Sequence, residues 1–346
     1  MRKSVLVLSV IFTLFFSVFL IIYPDNAKSA VSNGLILCGN VIIPSLFPFT
    51  FCSLYILNSK VNLNFPALNR ITKKLFSLSG IEFSVFLLSL IGGYPTGAKL
   101  INETYRQKKI SCKKANFMLC YCVNSGPAFL IMTVGFMILS SKKLGYILFV
   151  SHIFSSFLIA MFLKRFIAEG NCEVDVFKSE TSISKAIISS VNDAAATVLS
   201  ICSYVILFSV INSFLGIVLK KNAFFNFITY ILEVTLSVTK TKNIYLIAFL
   251  CGLGGISIWF QIMAQAKDFK KNIPLFITFR FVHAILSALL TFAAIKIFKV
   301  TIPTVSNGIS VVFKLKYSSS ALFFSLITLG ILFIISTTTK KVWQNG

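Results

Sequence analysis

A set of polar side chains lies within apolar stretches that are long enough to enter a membrane, where these groups could contact a solute. The set comprises Asn124, Ser125, Asn192, Asp193, Gln261, Gln265, Arg280 and His283. Amide and ionisable groups at membrane depth are unfavourable unless they face a partner or a water-filled cavity. Each is therefore interpreted either as a ligand contact or as a hydrogen bond that joins two helices. Glu82 and Glu233 lie nearer the ends of predicted spans and are interpreted as interfacial.

The spacing of these residues places some of them on shared helix faces. Gln261 and Gln265 are four residues apart, and Arg280 and His283 are three apart, so each pair occupies one face. An arginine at membrane depth is expected to pair with a carboxylate. Asp193 is the predicted partner of Arg280.

A run of glycines and a proline predicts a broken helix. Gly92-Gly93-Tyr94-Pro95-Thr96-Gly97-Ala98-Lys99 directly follows the 11-residue apolar run Ile81–Ile91. At helical rise this run spans about 16 Å, roughly half of a hydrocarbon core. Backbone broken at that depth is tolerated only inside protein or beside a cavity, and transporters build substrate sites from it. The alternative is a helix that ends at the interface, with Lys99 in water.

A second break is predicted inside the apolar run 115–139. Cys122-Val123-Asn124-Ser125-Gly126-Pro127 interrupts this run, and Pro127 removes a backbone donor. The segment is predicted to face the first break. In an earlier span, residues 40–57, Pro44 and Pro48 are predicted to bend or unwind the helix.

The second half of the chain weakly repeats the first. A shift of 162 residues places Ile91-Gly92-Gly93 on Leu253-Gly254-Gly255 and Lys108-Lys109 on Lys270-Lys271. Such a relation predicts an internal duplication of the kind found in transporters, in either a parallel or an inverted arrangement. The residues predicted to shape the backbone at the breaks are Gly92, Gly93, Pro95, Gly97, Gly126, Pro127, Gly254 and Gly255.

Composition determines the broad class. The chain has 346 residues, of which 56% are hydrophobic and 12% charged, with a mean hydropathy of +0.87. This predicts an all-α, polytopic integral membrane protein with about 8–10 transmembrane or re-entrant helices in two repeats. The net charge of +23 is spread over the short connections, where lysine and arginine anchor a protein to anionic lipid, so no nucleic-acid partner is expected.

Several chemistries have no sequence signal. Eight cysteines without a C-x-x-C motif and two histidines predict neither a metal site nor a disulfide framework. No phosphate-binding loop, HExxH or GxSxG motif occurs. The protein is therefore expected not to be an enzyme and to need no cofactor.

Five segments are expected. They are an uncleaved transmembrane helix at 1–28, a first gate-like membrane repeat at 29–167, an acidic linker at 168–183, a second membrane repeat at 184–300, and a C-terminal transmembrane helix with a basic tail at 301–346. The linker carries Glu169, Glu173, Asp175 and Glu180. An amphipathic segment at 65–79 is predicted to lie in the membrane interface.

Four motifs in order resemble one known family. They are Pro44-Ser45-Leu46-Phe47-Pro48-Phe49, the Gly92–Lys99 stretch, Asn124-Ser125-Gly126-Pro127-Ala128-Phe129, and Gly252-Leu253-Gly254-Gly255-Ile256-Ser257 followed by Gln261. Together they resemble the sporulation integral membrane protein family called YlbJ, over roughly residues 30 to 290. Its members carry a gate, or nucleoside-recognition, domain that also occurs in nucleoside and ferrous-iron transporters. This chain departs from the family pattern at Val123, where asparagine is common, and at Trp259, where histidine is common.

The resemblance implies a multi-pass cell-membrane protein of endospore-forming bacteria, located in the membrane around the developing spore and needed to make the spore cortex. It implies no enzymatic activity. The leading hypothesis is a transporter-like protein that moves or gates an unknown small solute in the lipid bilayer. The residues expected to contact the solute are Asn124, Ser125, Gln261, Lys99 and Asp193.

Two other classes of function remain open. The first is a non-transporting membrane scaffold that binds other sporulation membrane proteins of the cortex assembly machinery. The second is a membrane-embedded enzyme that acts on lipid-linked wall precursors, which the absence of carboxylate pairs at membrane depth disfavours.

Overall fold

A computed structural model describes residues 3–59, 80–166, 182–220 and 222–301. These residues form helices and connecting segments, with no strand among them, which confirms the predicted all-α class. The predicted interfacial segment at 65–79, most of the acidic linker and the C-terminal span lie outside the described residues.

The first half of the chain contains seven α-helices among its described residues. They are α1 (Lys3–Ile22), α2 (Pro24–Leu37), α3 (Ile43–Asn58), α4 (Gly80–Gly92), α5 (Tyr94–Arg106), α6 (Cys112–Tyr121) and α7 (Lys142–Leu163). Two π-helical segments, π1 (Cys38–Ile42) and π2 (Ala128–Ile138), and a 3₁₀ turn (Lys164–Phe166) complete the described part of this half.

The described part of the second half contains six α-helices. They are α8 (Ile183–Val218), α9 (Ala223–Leu232), α10 (Val234–Thr239), α11 (Ile244–Leu253), α12 (Gly255–Gln265) and α13 (Ile273–Ile297). Asparagine and serine side chains cap several of the helices by accepting a hydrogen bond from a first-turn N–H group, which stabilises the start of a helix. The capping residues are Ser111, Ser141, Asn222, Asn243 and Asn272.

Five helical stretches of the described chain are long and apolar enough to cross a membrane. They are Pro24–Ile56, Lys142–Phe166, Ile183–Val218, Ile244–Gln265 and Ile273–Ile297. Shorter apolar helices occur at Val10–Ile22, Gly80–Gly92, Ala128–Ile138 and Ala223–Leu232. About 20 apolar residues span a hydrocarbon core, so these helices confirm a multi-pass membrane protein.

Helix α13 shows how the sequence divides between lipid and protein. Large apolar side chains along one face are more than 40% exposed: Phe281, Ile285, Leu289 and Phe292. Polar side chains on the opposite face are buried: Arg280, His283, Ser287 and Thr291. Polar groups in a membrane helix avoid lipid by facing neighbouring helices, and the inner face of α13 accordingly packs against α7 and α11. The long helix α8 packs in the same way along α2 and α3.

The two prolines of α3 do not unwind it. The helix continues from Ile43 to Asn58 with Pro48 inside it, and the irregular turn is π1, just before Pro44. A π turn changes the local backbone hydrogen-bond pattern without ending the helix. Of the two predicted effects, bending or unwinding, unwinding therefore does not occur within α3.

Candidate functional site

The first break lies where the glycine pair predicts it. Helix α4 ends at Gly92, and Gly93 adopts φ 82° and ψ −171° before α5 begins at Tyr94. This backbone conformation is readily available only to glycine. Pro95 occupies the first turn of α5, where a backbone N–H would have no acceptor within the helix, so proline costs no helical hydrogen bond there.

The second break faces the first, as predicted. Residues 122–126 are not helical and connect α6 to the helical turn at Pro127 that begins π2. A Cβ atom added to Gly126 would lie 3.3 Å from the Cα atom of Gly93, and one added to Gly97 would lie 2.4 Å from the Cys122 carbonyl oxygen. Only glycine at these positions lets the two broken segments approach so closely.

A second pair of breaks lies in the second half. Helix α11 gives way to α12 at Gly254, with φ 82°, and α9 gives way to α10 at Glu233, with φ −146° and ψ 118°. A Cβ atom on Gly255 would lie 3.1 Å from the Ile231 carbonyl oxygen, so these two breaks also pack against each other. The shift of 162 residues that aligns the two glycine pairs thus also aligns the observed break at Gly93 with the one at Gly254. The break at Glu233 was not predicted from the sequence.

Tyr94 joins the two pairs of breaks. Its hydroxyl donates to the Cys251 carbonyl oxygen, which also accepts a hydrogen bond from Ser125 Oγ at 3.4 Å. The Trp259 indole N–H donates to the Leu253 carbonyl oxygen at 2.8 Å. Carbonyl groups released where α11 ends therefore have side-chain partners, as buried backbone requires. Trp259, a departure from the family pattern, has a structural role in this chain.

A pocket of about 60 Å³ lies where the breaks meet. The first break lines it with Gly92–Pro95, the second with Gly126, and the break at Glu233 with Glu233–Thr235. Helix α12 contributes Ile258 and Gln261. Apolar side chains from π1, α3 and α8 close the other side: Ile42, Leu46, Ile201 and Val205. The pocket is thus apolar with a few polar groups, which is typical of small-molecule sites.

Two polar side chains of the pocket are nearly inaccessible. Glu233 is 2% exposed, and its Oε2 atom accepts a hydrogen bond of 2.6 Å from the Leu236 N–H at the start of α10. Gln261 is 3% exposed, and its amide nitrogen donates to Ser257 Oγ at 3.4 Å. Within the described chain, no lysine or arginine forms an ion pair with Glu233.

Glu82 and Glu233, interpreted from the sequence as interfacial, are both buried within the protein. Glu82 is buried and forms an ion pair of 2.8 Å with Lys114, and Glu233 belongs to the pocket wall. An isolated acidic residue in an otherwise apolar stretch, 223–238, is the signal that could have identified Glu233, because carboxylates at membrane depth are rare and functional.

Of the five residues expected to contact a solute, only Gln261 lines the pocket. Lys99 and Asp193 are brought together as an ion pair of 2.9 Å, away from it. Ser125 bonds the end of α11, as described above. Asn124 donates from its amide nitrogen to the Tyr121 carbonyl oxygen at 2.7 Å, so Asn124 and Ser125 hold the second break in place.

The predicted pairing of Arg280 with Asp193 is wrong. The Arg280 guanidinium is fully buried and donates to the carbonyl oxygens of Val123 and, at 2.9 Å, Cys120. These carbonyls lie where α6 ends and carry the negative end of its dipole, which attracts a cation. Backbone carbonyl groups at the end of a broken helix, rather than a carboxylate, are thus the partners of Arg280. Asp193 is paired with Lys99 instead.

Polar side chains connect the second break to α7 and α13. Ser156 donates to Asn124 Oδ1 at 2.8 Å and lies 3.2 Å from His283 Nε2. Ser287 lies 2.8 Å from His152 Nδ1, and the two imidazole rings are in edge contact with centroids 5.1 Å apart. This network fixes the helices behind the pocket. No group of three or more histidine, cysteine, aspartate or glutamate side chains that could hold a metal ion occurs in the described parts of the chain.

Comparison with known proteins finds one informative relative. The chain is 22% identical over 231 residues to the sporulation integral membrane protein YlbJ of Bacillus subtilis (strain 168), covering 60% of this chain and 56% of that protein. The chain therefore matches little more than half the length of this relative. No family model matches the chain, and no solved structure matches it. The match confirms the resemblance drawn from the four motifs: this is a multi-pass, all-α membrane protein similar to the YlbJ family of sporulation integral membrane proteins.

Proposed function

We propose that this protein acts in sporulation, in the membrane around the developing spore, by moving or gating a small solute through the pocket at the helix breaks. The observation that carries the proposal is the convergence of three breaks and helix α12 on one cavity. Non-helical backbone at membrane depth is tolerated beside a cavity, and transporters use it to contact substrates and ions. The similarity to a sporulation integral membrane protein supports the cellular process, and the family resemblance supports a role in spore cortex formation.

The size of the pocket favours a small solute. A cavity of about 60 Å³ accommodates a few water molecules or an ion that keeps part of its hydration. Pockets for drug-sized ligands are typically about 300–1,000 Å³. The conformation described here therefore supports an ion or a small polar molecule better than a nucleoside.

Replacing Gln261 by leucine tests the proposal. The substitution keeps the bulk of the side chain and removes its hydrogen-bonding amide, a loss of about 1.4 kcal/mol or tenfold in affinity for a solute that it contacts. In a spore-forming host that carries the variant as its only copy, we expect far fewer heat-resistant spores at an unchanged level of membrane-inserted protein. Gln265→Leu is the matched control, because Gln265 lies one turn further along α12 and does not line the pocket.

Normal spore counts with Gln261→Leu would refute a functional pocket and favour the scaffold hypothesis. A scaffold would instead lose function when its hydrophilic loop is altered. Simultaneous replacement of the acidic linker residues by glutamine and asparagine separates the two hypotheses, since only a scaffold requires them. These residues are Glu169, Glu173, Asp175 and Glu180.

A further inference from the structure

We propose that the pocket binds a small inorganic cation and that the Glu233 carboxylate is its counter-charge. This inference names the class of solute for the pocket and rests on the proposed function for its role in the cell. It depends on three observations: the burial of Glu233 without a cationic partner in the described chain, the residues with side-chain oxygen atoms near it, and the cavity beside it.

Glu233 differs from three other acidic residues of the described chain that are buried or half-buried. Those residues each have a cationic partner: Glu82 with Lys114, Glu103 with Arg106, and Asp193 with Lys99. Glu233 has none within the described ranges although it is only 2% exposed. Burial of an unpaired carboxylate is strongly unfavourable, and a cation that enters the adjoining pocket would offset that free energy.

The atoms around the pocket suit a hard cation. Such ions prefer oxygen ligands from carboxylates, amides, hydroxyls and backbone carbonyls. The residues that line the pocket include three with side-chain oxygen atoms of this kind: Glu233, Thr235 and Gln261. Because the Gln261 nitrogen is the atom that donates to Ser257, its oxygen remains available. The cavity of about 60 Å³ leaves room for an ion together with some of its water.

Capping of α10 does not by itself account for a carboxylate at this position. The Glu233 carboxylate accepts a hydrogen bond from the Leu236 N–H through Oε2, and the N–H and hydroxyl groups of Thr235 also interact with it. A glutamine side chain has the same shape and supplies the same acceptor without a charge. Glu233→Gln therefore removes the proposed counter-charge and preserves the cap.

Thermal unfolding of the purified full-length protein in detergent provides the test. Melting is followed while lithium, sodium, potassium, magnesium or calcium chloride replaces N-methylglucamine chloride at constant ionic strength. A ligand that binds only the folded state raises the melting temperature with its concentration. We expect a saturable rise for at least one metal cation with the wild type and with the control Glu103→Gln. In Glu233→Gln we expect the midpoint concentration to increase at least tenfold.

An equal rise in Glu233→Gln would overturn the cation site, as would the absence of a rise with every metal cation. Stabilisation of the wild type by acid alone, lost in Glu233→Gln, would show that the carboxyl group takes up a proton and would also overturn the proposal. If Glu233→Gln does not fold, Gln261→Leu and Thr235→Val make the same test, because each removes one proposed ligand. A failed cation test together with defective spores in Gln261→Leu would overturn the cation site and leave the solute pocket intact.

Discussion

Replacement of Arg280 by methionine is expected to lower the free energy of unfolding by about 2–4 kcal/mol. The guanidinium donates to the carbonyl oxygens of Val123 and Cys120, and methionine leaves both without these donors in a region that water does not reach. Removal of a buried charge offsets part of the loss, which keeps the expected value below the sum of two lost charged hydrogen bonds. The melting temperature of the purified variant in detergent measures the effect.

Two further variants make this test specific. Arg280→Lys keeps the charge but lacks the planar fork that reaches two carbonyls, so it should recover less than half of the lost stability. Lys296→Met removes a cation from an exposed position on the same helix and should change stability by less than about 0.5 kcal/mol. Wild-type melting of Arg280→Met would show that the arginine does not hold the second break.

Replacement of Gly97 by alanine is expected to destabilise the protein by about 2 kcal/mol or more. An added Cβ atom would lie 2.4 Å from the carbonyl oxygen of Cys122, which is backbone and cannot rotate away. The higher helix propensity of alanine, about 1 kcal/mol, recovers only part of this loss. The same melting experiment measures the change.

Gly39→Ala is the matched control for Gly97→Ala. Gly39 lies in π1, and an added Cβ atom there would meet nothing within 4 Å beyond its chain neighbours and the backbone of its own helical turn. We therefore expect its melting temperature to equal or exceed that of the wild type. If Gly97→Ala and Gly39→Ala melt alike, the close approach of the first two breaks is not required for stability.

The sequence predicts the breaks well where they depend on local chemistry. Gly93 and Gly254 take positive φ values, and such conformations favour glycine strongly enough to be inferred from residue type. The facing arrangement of the first two breaks is also confirmed. Composition alone is sufficient for the all-α, multi-pass class, because soluble domains of this length do not reach such a high mean hydropathy.

The side-chain contacts of the site depend on tertiary structure, and the sequence does not predict them. Arg280 finds carbonyl groups 157 and 160 residues away, and no local pattern encodes such a partner. The break at Glu233 contains neither glycine nor proline and is followed by a helix of only six residues. It forms because Gly255 packs against the end of α9. The composition of the pocket, in which Glu233 takes part and Asn124 does not, follows from that packing.

The central claim is that the helix breaks surround a pocket that small hydrophilic solutes can reach from water. Cysteine placed at position 205 in a variant without the eight native cysteines tests it directly. Val205 lines the pocket and is 3% exposed, whereas Leu207, two residues along the same helix, is 44% exposed on the opposite side and faces lipid. In proteoliposomes, silver ion, which resembles sodium in size, should block the thiol of Val205→Cys because thiolates form only where water reaches them. The thiol of Leu207→Cys should remain free for labelling after unfolding. If silver blocks neither thiol, or blocks only the thiol of Leu207→Cys, the result would contradict the account.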